Sequence, residues 1–249
     1  MNNRYDNRNH FDSYREVGSQ TPPPYSGYQA VAESNSVMKR VYVKMFLALL
    51  VTAFVSLGCS SSTAFLQFFF SHPAIMWVLV IAELGIVFYL SSRLDKMSTA
   101  AATAWFFVYS ALNGVVLAPI FVIYTATSIA KTFFICAGTF GAMSVYGYFT
   151  SNDLTKFGSF LYYALFGLII AILVNMFTKS STLDWIISIV GVLIFIGLTA
   201  ADTQAVKRMC AATPAEYAGK IATIGALNLY LDFINLFIYL LRFFGSRND

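Results

Sequence analysis

Charge is scarce in this sequence. Asp, Glu, Lys and Arg make up 11% of its 249 residues, while 58% are hydrophobic. A soluble domain carries roughly a quarter charged residues, so an ordinary soluble fold is excluded. Histidine is nearly absent: His10 and His72 stand far apart in polar stretches, and no zinc cluster can be built from them. The three cysteines, Cys59, Cys136 and Cys210, share no C-x-x-C spacing and fall in or beside different apolar segments. They read as small apolar fillers, not a disulfide framework or a redox pair. A net charge of +4 is small and spread among loops, which argues against a nucleic-acid surface.

Residues 1–36 lack the apolar content needed to bury a core. They are rich in Asn, Ser, Tyr and Pro and read as a disordered polar tail. No apolar stretch follows a basic start within them, so they do not form a signal peptide. Pro22-Pro23-Pro24-Tyr25 matches a polyproline ligand, although a plain solvated tail accounts for it as well.

What the sequence has in abundance is long apolar runs. Spans are predicted at about 41–60, 74–91, 100–123, 129–150, 157–178, 184–204 and 224–244, each near the roughly 20 residues that cross a bilayer core as a helix. Residues 37–249 therefore read as one all-α integral membrane domain of seven transmembrane helices. With the N-terminus in the cytoplasm, Lys39, Arg40, Lys44, Arg93, Lys96, Lys156, Lys207, Arg208 and Lys220 lie inside, and Lys131, Lys179, Arg242 and Arg247 outside. Re-entry of the last segment would move Arg242 and Arg247 inside. Length favours a full span and charge favours re-entry. The fourth span carries Ala137, Gly138, Gly141, Ala142, Ser144 and Gly147, a small-residue pattern suited to close helix packing in lipid. Pro119 should kink the third helix, with Asn113 offering a polar group inside the bundle.

Three acidic residues fall within apolar runs: Glu83, Asp202 and Asp232. An Asp at a helix centre costs roughly 2.5–3.5 kcal/mol on insertion scales, so each needs a partner or a wet cavity. On the last helix Asn228, Asp232, Asn235, Tyr239 and Arg242 recur at intervals of four, three, four and three, a polar stripe that should face protein. Glu83 and Arg93 share the ten-residue spacing of Asp232 and Arg242, about 15 Å along a helix. Antiparallel second and seventh helices would then bring Arg93 level with Asp232 and Glu83 level with Arg242. Asp202 is expected roughly 7 Å below the inner surface and Asp232 nearer 12 Å, a mismatch of about one helical turn. Asp202 either reaches water at the helix end or meets Asp232.

If the two aspartates meet, they cannot both ionise cheaply, so they share a proton and titrate as a pair in two steps. Protonated, they latch the sixth helix to the seventh. Deprotonated, they repel, and their oxygens become weak ligands for a hard cation such as Ca²⁺. Weak binding suits permeation, because the ion must leave again.

The stretches "DFINLFIYLLRFFG", "GLTAADTQ", "YSALNGVVLAPIFVIYTATSIA" and "FGAMSVYGYFT" resemble the Bax inhibitor (TMBIM) family, especially its bacterial inner-membrane branch. The resemblance covers residues 37–245. It implies six helices around a central seventh and a pH-sensitive calcium leak governed by Asp202 and Asp232, with no resident cofactor. It further implies Arg93 as the arginine hydrogen-bonded to that pair, and Glu83 with Arg242 as an outer ion pair. A regulatory role through membrane-protein partners, such as a membrane protease or cell-death and stress factors, is the alternative. A third reading, an intramembrane aspartyl protease, lacks its Gly-x-Gly-Asp stretch: Leu229 and Leu231 stand where the glycines belong. An enzyme is not expected.

Overall fold

The computed structural model describes residues 27–212 and 214–248. The tail expected over residues 1–36 lies outside the described residues as far as position 26, and Pro22–Tyr25 with it. From Gly27 onward the chain is already helical.

Nine helices are described: α1 (Gly27–Ser60), α2 (Thr63–Ser71), α3 (Pro73–Arg93), α4 (Thr99–Leu117), α5 (Ile120–Ile123), α6 (Ala126–Phe149), α7 (Thr155–Thr178), α8 (Ser181–Ala212) and α9 (Ala218–Phe244). Among the described residues, seven segments are long and apolar enough to span a membrane, with α4 and α5 counting as one. The seven predicted spans are all present, and α2 is an addition. Two helices run well past their apolar cores. Whereas the hydropathy runs end near 204 and begin near 224, α8 continues to Ala212 and α9 starts at Ala218. Helix-favouring residues such as Gln204, Lys207, Arg208 and Met209 sustain α8 beyond the hydrocarbon stretch.

Local chemistry sets the boundaries. Ser98 and Thr125 cap α4 and α6 by accepting from the backbone N–H groups of Ala101 and Ser128. Pro73 opens α3 at a position where no N–H is needed. Pro119 has no N–H to give to Val115 O, so Ala118 N takes that oxygen at 3.3 Å and the helix breaks between α4 and α5.

Alternation of the helices defines a near end, where α1 enters, and a far end, where α9 finishes. The contacts agree: Tyr124 bridges Arg247, and Thr125 N donates to Ser246 O at 3.1 Å, both at the far end. As one unbroken helix of 27 residues, about 40 Å long, α9 contains no turn on which it could re-enter.

Of the spanning helices α9 is the most buried: 67% of its apolar window is enclosed, against 6% for α3. It packs against α8, α1, α6 and α4. By contrast α3 packs on α4 and α2, and α7 on α8. This is consistent with the central place expected for the last helix. Small residues matter where backbones touch. A Cβ on Gly147 would run into the backbone of Ala200 on α8, whereas Gly138 and Gly141 face open space. Only part of the small-residue pattern in α6 is therefore a packing surface.

Candidate functional site

The polar stripe of α9 lies along α8. Arg242 pairs with Asp184, the Tyr239 ring packs on Gly191 and stacks on Phe195, and Gly225 fits against Val206. Numbers fall on α9 as they rise on α8, so the helices are antiparallel. That register sets Asp232 within about one turn of Asp202.

Asp202 is 7% exposed and Asp232 4%. Asp202 lies ten residues from the end of α8 and Asp232 fourteen from the start of α9, about 15 and 21 Å into their helices. Both stand further from their helix ends than the expected depths, because both helices extend past the apolar runs, and their offset is still about one turn. The charge of each reaches the same surroundings: Asp202 acts on Asp232, and both act on Tyr162 of α7. The Tyr162 hydroxyl donates to Asp202 Oδ2 at 2.7 Å. Asp232 Oδ2 is buried and has no hydrogen-bond partner among the described residues. A carboxylate oxygen in that position needs a proton or a cation.

A cavity of about 330 Å³ opens at the near end beside Asp202, between α7 and α8. Thr155, Gly158, Tyr162, Gln204 and Arg208 line it with Asp202. The connection over 150–154 closes one side, and Gln204 holds that connection. Gln204 Oε1 accepts from Leu154 N at 2.9 Å and its Nε2 donates to Asn152 O at 2.8 Å. Arg208 donates to Gln204, Thr155 and Asp153, each at 2.8 Å. The Thr155 hydroxyl and N–H, then Arg208, hold Asp153 below the usual carboxylate range.

Two expected pairings are corrected. Arg93 is exposed at the end of α3, a helix that packs on α4 and α2, so it does not reach Asp202 or Asp232. Nor do Glu83 and Arg242 meet. Arg242 takes Asp184 on α8, and Glu83 Oε1 accepts from Asn113 Nδ2 at 2.9 Å. The levels fail as well as the azimuth: through Asn113, Glu83 sits beside Tyr230, near the level of Asp232 and about 18 Å along α9 from Arg242, and α8, not α3, faces the striped side of α9. Within the stripe, Asn228 and Asn235 are half-buried, and Asn235 Nδ2 donates back to Leu231 O at 2.8 Å.

Glu83 belongs to a second buried network on another face of α9. Tyr230 is fully buried, and its hydroxyl meets Thr52 Oγ1 at 2.6 Å and donates to Asn113 Oδ1 at 3.1 Å. Asn113 was foreseen as a polar group inside the bundle; Thr52 and Tyr230 were not. Nearer the near end, Lys44 Nζ donates to Thr103 Oγ1 at 2.7 Å and Thr223 Oγ1 at 2.6 Å. Its setting amid "YVKMFLALL" was the available signal. For Tyr162, Gln204 and Asp184 no such signal exists, since their roles arise from the packing of separate helices.

No group of three or more His, Cys, Asp or Glu that could hold a metal ion occurs among the described residues. Two carboxylates and a tyrosine hydroxyl fall well short of the roughly six to eight oxygens of a tight calcium site.

The family model described as inhibitor of apoptosis-promoting Bax1 matches residues 34–249. Inner membrane protein YbhL of Escherichia coli K12 is 45% identical over 222 residues, covering 88% of this chain and 95% of its own. A protein of Borreliella burgdorferi is 45% identical over 223 residues, with 89% and 96% covered. A membrane protein of Streptococcus pyogenes serotype M1 is 44% identical over 179 residues, with 72% and 77% covered.

Proposed function

The chain belongs to the Bax inhibitor family, and on that premise we propose that it is a pH-responsive cation leak of the inner membrane with calcium as the permeant ion. One observation carries the reading: Asp232 keeps a buried carboxylate oxygen without a hydrogen-bond partner among the described residues, on a helix packed against the one that carries Asp202. With a shared proton the pair bridges α8 and α9 and the path is closed. As pH rises the proton leaves, the two charges repel, and the helices separate at that level. Tyr162 then steadies the charged Asp202 through its hydroxyl, and the cavity between α7 and α8 leads water and ions in from the near end. The carboxylates hold a hard cation only weakly, which lets it pass on.

The near end faces the cytoplasm in this reading, because it gathers nine lysines and arginines of the spanning domain against four at the far end. Arg93 has no part in the switch, and Glu83 acts in its own network. The reading assigns no catalytic chemistry.

The test is calcium flux into dye-loaded liposomes containing the purified protein, scanned from pH 5 to 8. Leak should rise with pH in the wild type, and Asp232→Asn and Asp202→Asn should each flatten the profile. An unchanged pH profile in both variants refutes the assignment.

A further inference from the structure

A cleft of about 400 Å³ lies on the far half of the bundle, on a different face of α9 from the aspartates. α1 and α6 form its walls, the break at Pro119 its upper edge, and Phe233, Ile234 and Phe237 of α9 its floor. The rim is outward-facing. Phe133 is 43% and Phe134 75% exposed, on a helix surface that meets lipid hydrocarbon in a spanning bundle. The lining is apolar except for two hydroxyls on α1, Thr52 and Ser56. An occupant therefore enters from the hydrocarbon side.

The two hydroxyls differ. Thr52 is fully engaged, with Ala48 O at 3.0 Å, Ser110 O at 2.8 Å and Tyr230. Ser56, one turn further on, is 1% exposed, and its Oγ has no hydrogen-bond partner among the described residues. A helical serine ordinarily settles on the carbonyl four residues back. Ser56 instead keeps a buried donor free inside an otherwise apolar cleft, an arrangement that calls for an acceptor from outside the chain.

Depth identifies the acceptor. Lys39 and Arg40 mark the near surface on α1, so a hydrocarbon core of about 30 Å ends near Ser60 and the overhang lies at the near end. Ser56 is four residues from the end of α1, about 6 Å, which places it one turn below the far hydrocarbon boundary. Lipid ester carbonyls lie at that boundary. The volume suits a single chain, on the order of a dozen methylenes if each takes about the 30 Å³ of a liquid water.

We propose that this cleft binds one acyl chain of a glycerolipid from the far leaflet, with its ester carbonyl accepting a hydrogen bond from Ser56. The chain runs down α1 over Phe233 and Ile234, so bound lipid braces the central helix on the side opposite its polar stripe. This site stands whether or not the protein conducts ions.

The experiment uses the full chain in phospholipid vesicles containing a glycerophospholipid with a mid-chain diazirine, followed by irradiation and peptide mapping. Adducts on Phe233 and Ile234 are diagnostic, because both are buried from bulk lipid at 5% and 6% exposure. Ala130→Phe, on the exposed wall of the cleft, should cut those adducts at least about fivefold and leave labelling of outward-facing Phe54 unchanged. In the wild type, an ether-linked analogue without the carbonyl should label about two- to tenfold less than the ester, the loss of one ordinary hydrogen bond. Ser56→Ala should erase that difference. Buried residues unlabelled in the wild type, equal labelling in Ala130→Phe, equal ester and ether labelling, or labelling by a diazirine free fatty acid alone would each overturn the proposal.

Discussion

Tyr230→Phe isolates a single hydroxyl at the centre of the bundle. The ring stays: it packs edge-on to Phe106 at 5.7 Å and Tyr109 at 5.8 Å, and phenylalanine keeps both contacts. What disappears is the hydroxyl's link from α9 to Thr52 on α1 and Asn113 on α4. Thr52 retains Ala48 O and Ser110 O as acceptors, so it is left satisfied. Asn113 Oδ1 loses the donor it has from Tyr230 and stays buried on a residue only 6% exposed. Orphaning one buried polar atom costs about 1–3 kcal/mol. In a domain of this size each kcal/mol shifts the thermal midpoint by roughly 2–4 °C. The assay is built into the chain: Cys136 and Cys210 are buried and free, so a thiol-reactive dye reports unfolding. Tyr239→Phe is the control. Its hydroxyl has no hydrogen bond among the described residues, and its change should stay within about 0.5 kcal/mol. Thr52→Val combined with Tyr230→Phe should couple by at least about 0.5 kcal/mol. If Tyr230→Phe melts with the wild type and Tyr239→Phe does not, the network is not holding the core.

Other outcomes test the corrected contacts. Breaking the Arg242–Asp184 pair should cost only about 0–1 kcal/mol, because the Asp184 side chain is 42% exposed and water screens it. The swap Arg242→Asp with Asp184→Arg should recover that loss, whereas Glu83→Gln should show no coupling to Arg242 in the same melts. Asp153 has a depressed pKa, so its contribution is present above its unfolded value and is lost only as pH falls through the lower, folded one. Its contacts therefore stay intact across pH 5–8, and Asp153→Asn should leave the pH midpoint of the leak in place; a moved midpoint would take the sensor away from the aspartate pair. Gly147→Ala should destabilise by about 1–3 kcal/mol through collision with the Ala200 backbone. Gly138→Ala, in open space, should be neutral or stabilising by roughly 0.5–1 kcal/mol in the same melts.

The seven spans were legible because hydrocarbon demands an apolar run of fixed length, a one-dimensional requirement. Asp202 and Asp232 stood out for the same reason, as charges where lipid tolerates few, and the stripe from Asn228 to Arg242 followed from helical period alone. Partners were another matter. Glu83 and Arg93 share the spacing of Asp232 and Arg242, yet neither pair forms, because equal spacing fixes neither the offset of two helices along their axes nor which way each turns its face. Tyr162 escaped notice since nothing around it in sequence distinguishes it from other aromatic residues of an apolar run. Asp184 lies in the first turn of α8, where a carboxylate ordinarily needs only water, and it is the partner Arg242 takes. The sequence by itself determined which segments cross and which polar groups they carry inside. Only the packing of α8, not α3, against the stripe of α9 decided which groups meet, since a pairwise contact depends on neighbours and rotation that no single helix encodes.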